Sequence, residues 1–314
     1  MSVVLITGAF GFVGTNLSSW LAAHGHRVLA LDVAAQVPSA YAEFRTWDAL
    51  DGFDWGAVDA VIHLAGKAHD TRKAVDPQMY FDINVGLTKR IFDRFCDSRA
   101  RTFLFFSSVK AVADQVPVGS VLTEDAVPDP RTPYGKSKLA AEQYLQAVPL
   151  AADRRLYILR PCMIHGPGNK GNLNLLYGFA RRGLPYPLAA FENRRSFTAI
   201  ENVCQAVDGL LRLAPASGIY QLADDEPLST NTVMTLMAES LGRQPRSWHC
   251  PPAIIRWCAR VGDRLHLPLN SERLDKLTES YVVDNRKLRR ALGVARFPVT
   301  AEDGLRKTLA AFRG

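Results

Sequence analysis

The chain opens on an apolar, β-branched run from Ser2 to Ile6, the signature of a buried strand. A glycine-rich turn follows over residues 7–14, and helical spacing then runs through Leu17, Trp20 and Leu21. Arg27 to Leu31 reads as a second strand ending at Asp32. Similar runs recur at Ala60 to Leu64, Thr102 to Phe106 and Leu156 to Leu159, with a helical stretch from about Tyr80 to Phe95. Strands alternating with helices predict an α/β fold on a doubly wound parallel sheet. After Arg160 the alternation weakens. A turn-rich segment over 166–172 leads into an apolar helical stretch from Leu173 to Ala180. Ala301 to Phe312 closes the chain as an amphipathic helix. The pattern predicts a sheet-bearing domain over 1–160, with 199–214 packing back on it as a helix. Residues 161–314 mainly form a smaller C-terminal lobe.

The turn reads Thr7-Gly8-Ala9-Phe10-Gly11-Phe12-Val13-Gly14. After a first strand and before a helix, glycines permit the tight turn, let backbone approach a diphosphate and let helix and strand pack closely. The helix N-terminus adds free N–H groups and a positive dipole end. This is the start of a Rossmann dinucleotide-binding domain. A carboxylate at Asp32, the end of the second strand, suits both ribose hydroxyls of adenosine and repels a 2′-phosphate. Ala34 and Ala35 follow, so no arginine is at hand for that phosphate. NAD is therefore expected over NADP. Ligands of such sheets bind beyond the carboxyl ends of the strands. That puts His63-Leu64-Ala65-Gly66, Ser107-Ser108 and Arg160-Pro161 on one rim with the glycine turn.

Tyr134 and Lys138 are four residues apart, on one face if the segment is helical. A free phenol titrates near ~10 and is a poor base at neutral pH. An adjacent ammonium group favours the phenolate and lowers that value. An ionised Tyr134 could then move protons at physiological pH, which redox chemistry on an alcohol needs.

Composition excludes several other classes. Of 314 residues, 47% are apolar, enough for a large core, and no repeat or low-complexity tract is present. The net charge of +7 suits an anionic partner, but Lys and Arg are scattered and form no stripe interleaved with aromatics, so no nucleic-acid partner is expected. Cys96, Cys162, Cys204, Cys250 and Cys258 are widely spaced, without a Cys-x-x-Cys, and read as reduced thiols of a cytoplasmic protein. The histidines show no metal-ligand spacing. The first strand leaves no room for a signal peptide, and no apolar run approaches the ~20 residues of a membrane span.

Together these residues resemble the extended short-chain dehydrogenase/reductases, the NAD-dependent epimerase/dehydratase family. The features are Thr7-Gly8-Ala9-x-Gly11-Phe12-x-Gly14, Asp32, His63-Leu64-Ala65-Gly66, Asn84, Ser107-Ser108, Tyr134-x-x-x-Lys138 and Arg160-Pro161, in the family's order. The resemblance implies Tyr134 as acid/base, Lys138 on the nicotinamide ribose, and Ser108 on the reacting sugar oxygen, with Ser107 as the alternative. It implies cofactor contacts at Gly8, Phe10, Gly11, Phe12, Val13, Gly14, Asp32, Asp48, Ala49, Leu64, Ala65, Gly66, Asn84, Ser107 and Pro161. Substrate contacts are implied at Lys67, Ser108, Asn172, Leu173, Arg195 and Arg273, with Arg195 clamping a diphosphate. No metal is implied, and Tyr281-Val282-Val283-Asp284 before Arg286-Lys287-Leu288 resembles the family's end, a short strand before a helix. The family acts mostly on nucleotide-activated sugars and is often dimeric. The implied reaction is 4-epimerisation of a UDP-sugar through a 4-keto intermediate, or reduction of a 4-keto-6-deoxy nucleotide sugar. Val109-Lys110 after Ser108 lacks the acid pair of the 4,6-dehydratases. The Ser-Ser-Val-Lys segment, Leu267-Pro268-Leu269 and the ending around Asp284 resemble proteins of surface-polysaccharide synthesis. A non-catalytic NAD(P) sensor would usually lack the Tyr/Lys pair.

Overall fold

Val3–Thr7 (β1) lies inside a seven-stranded sheet of a computed structural model that describes residues 2–33, 41–67, 76–117, 119–169, 172–265 and 270–313. Ala34, Ala35 and Leu267-Pro268-Leu269 fall outside those residues. After β1 come Phe12–Ala23 (α1), Arg27–Asp32 (β2), Glu43–Thr46 (β3), Ala60–His63 (β4), Pro77–Asp97 (α2) and Thr102–Phe106 (β5). Pro133–Ala147 (α3), Arg155–Pro161 (β6), Met163–His165 (β7), Asn172–Arg181 (α4), Phe197–Ala199 (β8) and Ile200–Leu213 (α5) follow. The chain continues through Gly218–Leu222 (β9), Thr230–Ser240 (α6), Pro252–Leu265 (α7), Ser271–Thr278 (α8), Arg286–Leu292 (α9) and Ala301–Ala311 (α10).

The sheet order is β3-β2-β1-β4-β5-β6-β9, with every pairing parallel, the doubly wound sheet expected from the sequence. Its strands are nearly continuous apolar runs because helices cover both faces. On one face, Val4, Ile6, Ala30, Ile62, Leu104 and Leu159 pack with Leu17 and Leu21 of α1 and Val203, Val207 and Leu210 of α5. On the other, Leu5, Leu31, Val61, Phe103, Phe105 and Ile158 meet Ile91, Phe92 and Phe95 of α2 and Ala141 and Leu145 of α3. The two-residue period of each strand therefore sorts neighbouring side chains into two separate cores.

Two strands of this sheet lie beyond the sequence pattern, as do both strands of the β7–β8 pair. β3 is short and half-exposed at one edge, and β9 forms the other edge after a helix the periodicity did indicate. Conversely, Tyr281 and Val283 make only isolated bridges, to Arg195 and Leu122, rather than the expected strand. A third core joins α4, α6, α7, α8 and α10, beside the two-stranded pairing of β7 with β8. All five cysteines are free. No described helix is long and apolar enough to cross a membrane, and no group of metal-binding side chains occurs among the described residues.

Candidate active site

The glycine turn joins β1 to α1 under tight steric control. Gly8 takes φ +68°, and a Cβ there would fall 2.7 Å from the Ala65 nitrogen; one on Gly14 would fall 2.6 Å from the Gly8 oxygen. Only glycine fits either place. Gly11 is the N-cap of α1 and offers no capping side chain, so the first N–H groups of the helix remain available to an anion. Asp32 closes the other side: its Oδ2 accepts the Phe10 N–H at 2.8 Å and its Oδ1 the Val33 N–H at 2.7 Å. Each carboxylate oxygen keeps acceptor capacity for a ribose hydroxyl. These residues fit an adenine dinucleotide. Phe10 packs against Tyr41 and Phe44, while Phe12 and Val13 begin α1 half-buried. Asp48 and Ala49 lie in a 3-10 turn just past β3, on the same rim, and Pro161 ends β6 there.

α3 begins with Thr132, whose Oγ1 accepts the Gly135 N–H at 3.2 Å, and with Pro133 in the first turn, a strong start signal. Asp114 accepts N–H groups of Arg131 and Thr132 and fixes this cap to the segment after β5. Gly135 lies against the Lys110 carbonyl so closely that no side chain fits between them. That contact brings the Ser108 side chain beside Tyr134, where its hydroxyl lowers the phenol's pKa. Ser107 is spent elsewhere, donating to Glu142 Oε1. Of the two serines, Ser108 is thus the one beside the phenol.

Lys138 lies one turn beyond Tyr134, as the spacing predicted, but its ammonium group is turned into the protein. Nζ donates to the Phe106 carbonyl at 2.9 Å and sits 4.8 Å over the Phe105 ring. A buried ammonium must replace lost water, and the carbonyl at the end of β5 does so. Burial lowers the Lys138 pKa to about 8, opposed by the carboxylate of Glu142. Burial raises the Tyr134 pKa above its ordinary value, against a smaller lowering by the Ser108 hydrogen bond. The lowering of the Tyr134 pKa expected from the spacing is opposed here by burial, which holds the phenol above its ordinary value. Desolvation of an enclosed phenol outweighs an amine that is bonded to another oxygen.

Beneath the rim, Glu142 and Arg160 form a buried pair. Arg160 Nη2 reaches Oε2 at 2.5 Å and Nε reaches Oε1 at 2.9 Å. Asn84 sits inside α2 rather than at its first turn. Its Oδ1 accepts the Lys67 N–H at 2.7 Å, and its Nδ2 donates to Ser137 Oγ at 2.9 Å and to the Lys67 carbonyl at 3.2 Å. Its amide thus pins the loop after β4, Leu64 to Lys67, to α3. Ala65 is fixed by its N–H to Thr7 Oγ1 at 3.2 Å, and Lys67 Nζ lies 5.8 Å from the Tyr80 ring, which meets Tyr134 edge-on. His63, fully buried between Thr7 and Thr88, has its pKa lowered to about 3 by burial and by Lys138, and is neutral.

The remaining candidates are less uniform. Arg195 is held by Glu279, with Nη2 to Oε1 at 3.0 Å, and burial lowers its pKa. Arg273 lies on the exposed side of α8. Leu173 is buried in the third core with Tyr177 and Phe197, so its side chain packs inward. Asn172 opens α4, and its side chain falls outside the described residues. Sequence reasoning missed two supporting groups. Tyr41 donates to the Ala9 carbonyl and braces the glycine turn, and Glu142 is the other. Glu142 was findable, four residues after Lys138 on the same helical face.

Comparison with known proteins agrees with this geometry. The model of the NAD dependent epimerase/dehydratase family matches residues 4–223. A UDP-glucose 4-epimerase of Vibrio cholerae is 27% identical, the alignment covering 98% of this chain and 95% of the relative. A GDP-6-deoxy-D-mannose reductase of Pseudomonas aeruginosa is 28% identical over 75% of this chain and 79% of its own. Among solved structures, the Thermus thermophilus UDP-glucose 4-epimerase in complex with NAD superposes with a TM-score of 0.75 at 26% identity, covering 99% of each chain. With its parallel sheet, glycine turn and Tyr-x-x-x-Lys helix in the shared order, the chain belongs to the NAD dependent epimerase/dehydratase family of enzymes.

Proposed function

We propose that this enzyme is an NAD-dependent nucleotide-sugar epimerase that inverts C4 of a UDP-sugar through a 4-keto intermediate, in the making of surface-polysaccharide precursors. The observation that carries the reading is the placing of Ser108 beside Tyr134, one turn from Lys138 and on the rim that bears the glycine turn. NAD, when bound, supplies a hydride acceptor that can return what it takes. The glycine turn and the first turn of α1 would hold its diphosphate, and Asp32 its adenosine ribose. The loop from Leu64 to Gly66, Pro161 and the turn bearing Asp48 and Ala49 would line its course. Asp32 would set the preference for NAD, because a carboxylate repels a 2′-phosphate.

Tyr134 exchanges the proton of the sugar hydroxyl, and Ser108 donates a hydrogen bond to the oxygen on which charge develops. A phenol held above its ordinary pKa is a ready donor in the direction that forms the alcohol. In the opposite direction the proton must leave Tyr134, a loss that any cation held near the phenol would favour. Lys138 would hold the nicotinamide ribose from the Phe106 end. Lys67, Arg195 and Arg273 would meet the sugar diphosphate, with Arg195 exchanging Glu279 for phosphate oxygens. Residues 1–160 with 199–214 would bind the dinucleotide, and most of 161–314 the nucleotide sugar. A homodimer in the cytoplasm completes the reading.

A 4-keto-6-deoxy nucleotide-sugar reductase is the second reading, favoured by the upward shift of the Tyr134 pKa on burial, which suits a one-way proton donor. Incubation with UDP-glucose, UDP-N-acetylglucosamine and their 4-keto-6-deoxy derivatives, with and without NADH, followed by product NMR, separates the two. Inversion at C4 without added NADH supports the epimerase. Turnover only of keto sugars with NADH consumed supports the reductase, and no turnover of any sugar overturns both.

A further inference from the structure

α7 presents three stripes rather than the two of an ordinary surface helix. Ile255, Ala259 and Gly262 are buried, and Ile255 and Ala259 join the third core. Ile254, Trp257 and Leu265, spaced three and eight residues apart on an adjacent face, are 55%, 64% and 62% exposed, with half-buried Val261 between the last two. Trp248, 59% exposed, stands just before the helix. Along the next face run Arg256, Arg260 and Arg264, four residues apart and all exposed. The acidic member of the helix, Asp263, accepts the N–H and hydroxyl of Ser271 at 2.9 and 2.6 Å, so it serves the start of α8.

We propose that the outer face of α7, with Trp248, docks the enzyme on an anionic phospholipid bilayer. A helix lying in a membrane interface needs an apolar stripe that enters the acyl boundary and a basic stripe beside it that reaches lipid phosphates. Indole rings favour the headgroup level, where ring and N–H are both accommodated. Arginine bends its apolar stem along the surface and grips phosphate with its planar fork. Both stripes lie side by side here, on a protein of net charge +7. A second copy of this chain fits less well. A two-fold contact places the same patch on both partners and would set the two arginine ladders against each other. The docking face stands on the lobe that carries Leu173 and does not draw on the sugar chemistry.

Co-sedimentation of the full chain with vesicles tests this directly. Phosphatidylglycerol–phosphatidylcholine vesicles should bind the protein and phosphatidylcholine alone should not, with binding falling as salt rises. Neutralising the ladder in Arg256→Gln/Arg260→Gln/Arg264→Gln should weaken binding by about fivefold per arginine, on the order of one hundredfold in all. Trp257→Ala should weaken it by roughly tenfold through lost apolar burial. Both variants alter exposed side chains, and circular dichroism and sugar turnover should match the parent. Absent binding, equal binding to the two vesicle types, or anionic binding unchanged in both variants overturns the proposal. So does a self-associated form that Trp257→Ala disperses without any vesicle binding, which would assign the face to a second copy.

Discussion

Glu142→Gln tests whether the ion pair under the rim serves chemistry as well as packing. Glu142 is fully buried, accepts two donors from Arg160 and one from Ser107, and lies one turn from Lys138. An amide in its place presents an NH2 to a guanidinium and leaves that charge uncompensated in a dry interior. Breaking one side of a buried pair costs about 3–5 kcal/mol. For a chain of this size that corresponds to a fall in Tm of roughly 5–8 °C by calorimetry. A second effect reaches Lys138. Its pKa of about 8 is set by burial against the raising influence of Glu142, so loss of that charge moves it lower. Lys138 is protonated below its folded value, and catalysis that needs the ammonium form fades as pH rises through it. The alkaline limb of kcat should therefore shift to lower pH in Glu142→Gln. Stability follows the same linkage with its own sign. Between about 8 and the ordinary lysine value the unfolded chain binds more protons, so this residue makes stability rise with pH across that window. The control is Glu142→Leu with Arg160→Met, an apolar pair that should recover most of the lost Tm while leaving the pH limb displaced. A Tm within about 2 °C of the parent together with an unmoved limb would refute the reasoning.

Three further outcomes follow from the candidate site. Tyr134→Phe should lower kcat roughly a hundred- to ten-thousandfold while NAD still binds, read by turnover and by titration of the cofactor; near-normal turnover returns Tyr134 to a packing role. Asp32→Ala should weaken NAD roughly tenfold or more and leave NADP unchanged or tighter, measured by calorimetric titration; an unaltered NAD to NADP ratio removes the ribose contact. Arg195→Ala should raise KM for a UDP-sugar roughly tenfold with a smaller loss in kcat, and an unchanged KM would leave the guanidinium as a partner of Glu279 alone.

What the sequence determined by itself was whatever depends on local spacing. β-branched runs separated by helical periods dictate a parallel sheet. Glycines at 8, 11 and 14 dictate a turn that no side chain could enter, and β2 ends at Asp32 because its apolar run stops there. The Thr132-Pro133 start dictates a helix that stacks Tyr134 and Lys138 on one face. Tertiary structure decided what those side chains do. The approach of α3 to Lys110 put Ser108 beside the phenol, whereas Glu142, held by a residue from β6, drew Ser107 inward. A backbone oxygen at the end of β5 captured Lys138, and burial raises the Tyr134 pKa where spacing alone led to a lowered one. Leu173 vanished into a core that did not exist until five distant helices met, and the same assembly left one flank of α7 uncovered. Spacing fixes which residues share a face, but desolvation and competition for hydrogen-bond partners depend on segments far apart in the chain, and these set charge and orientation.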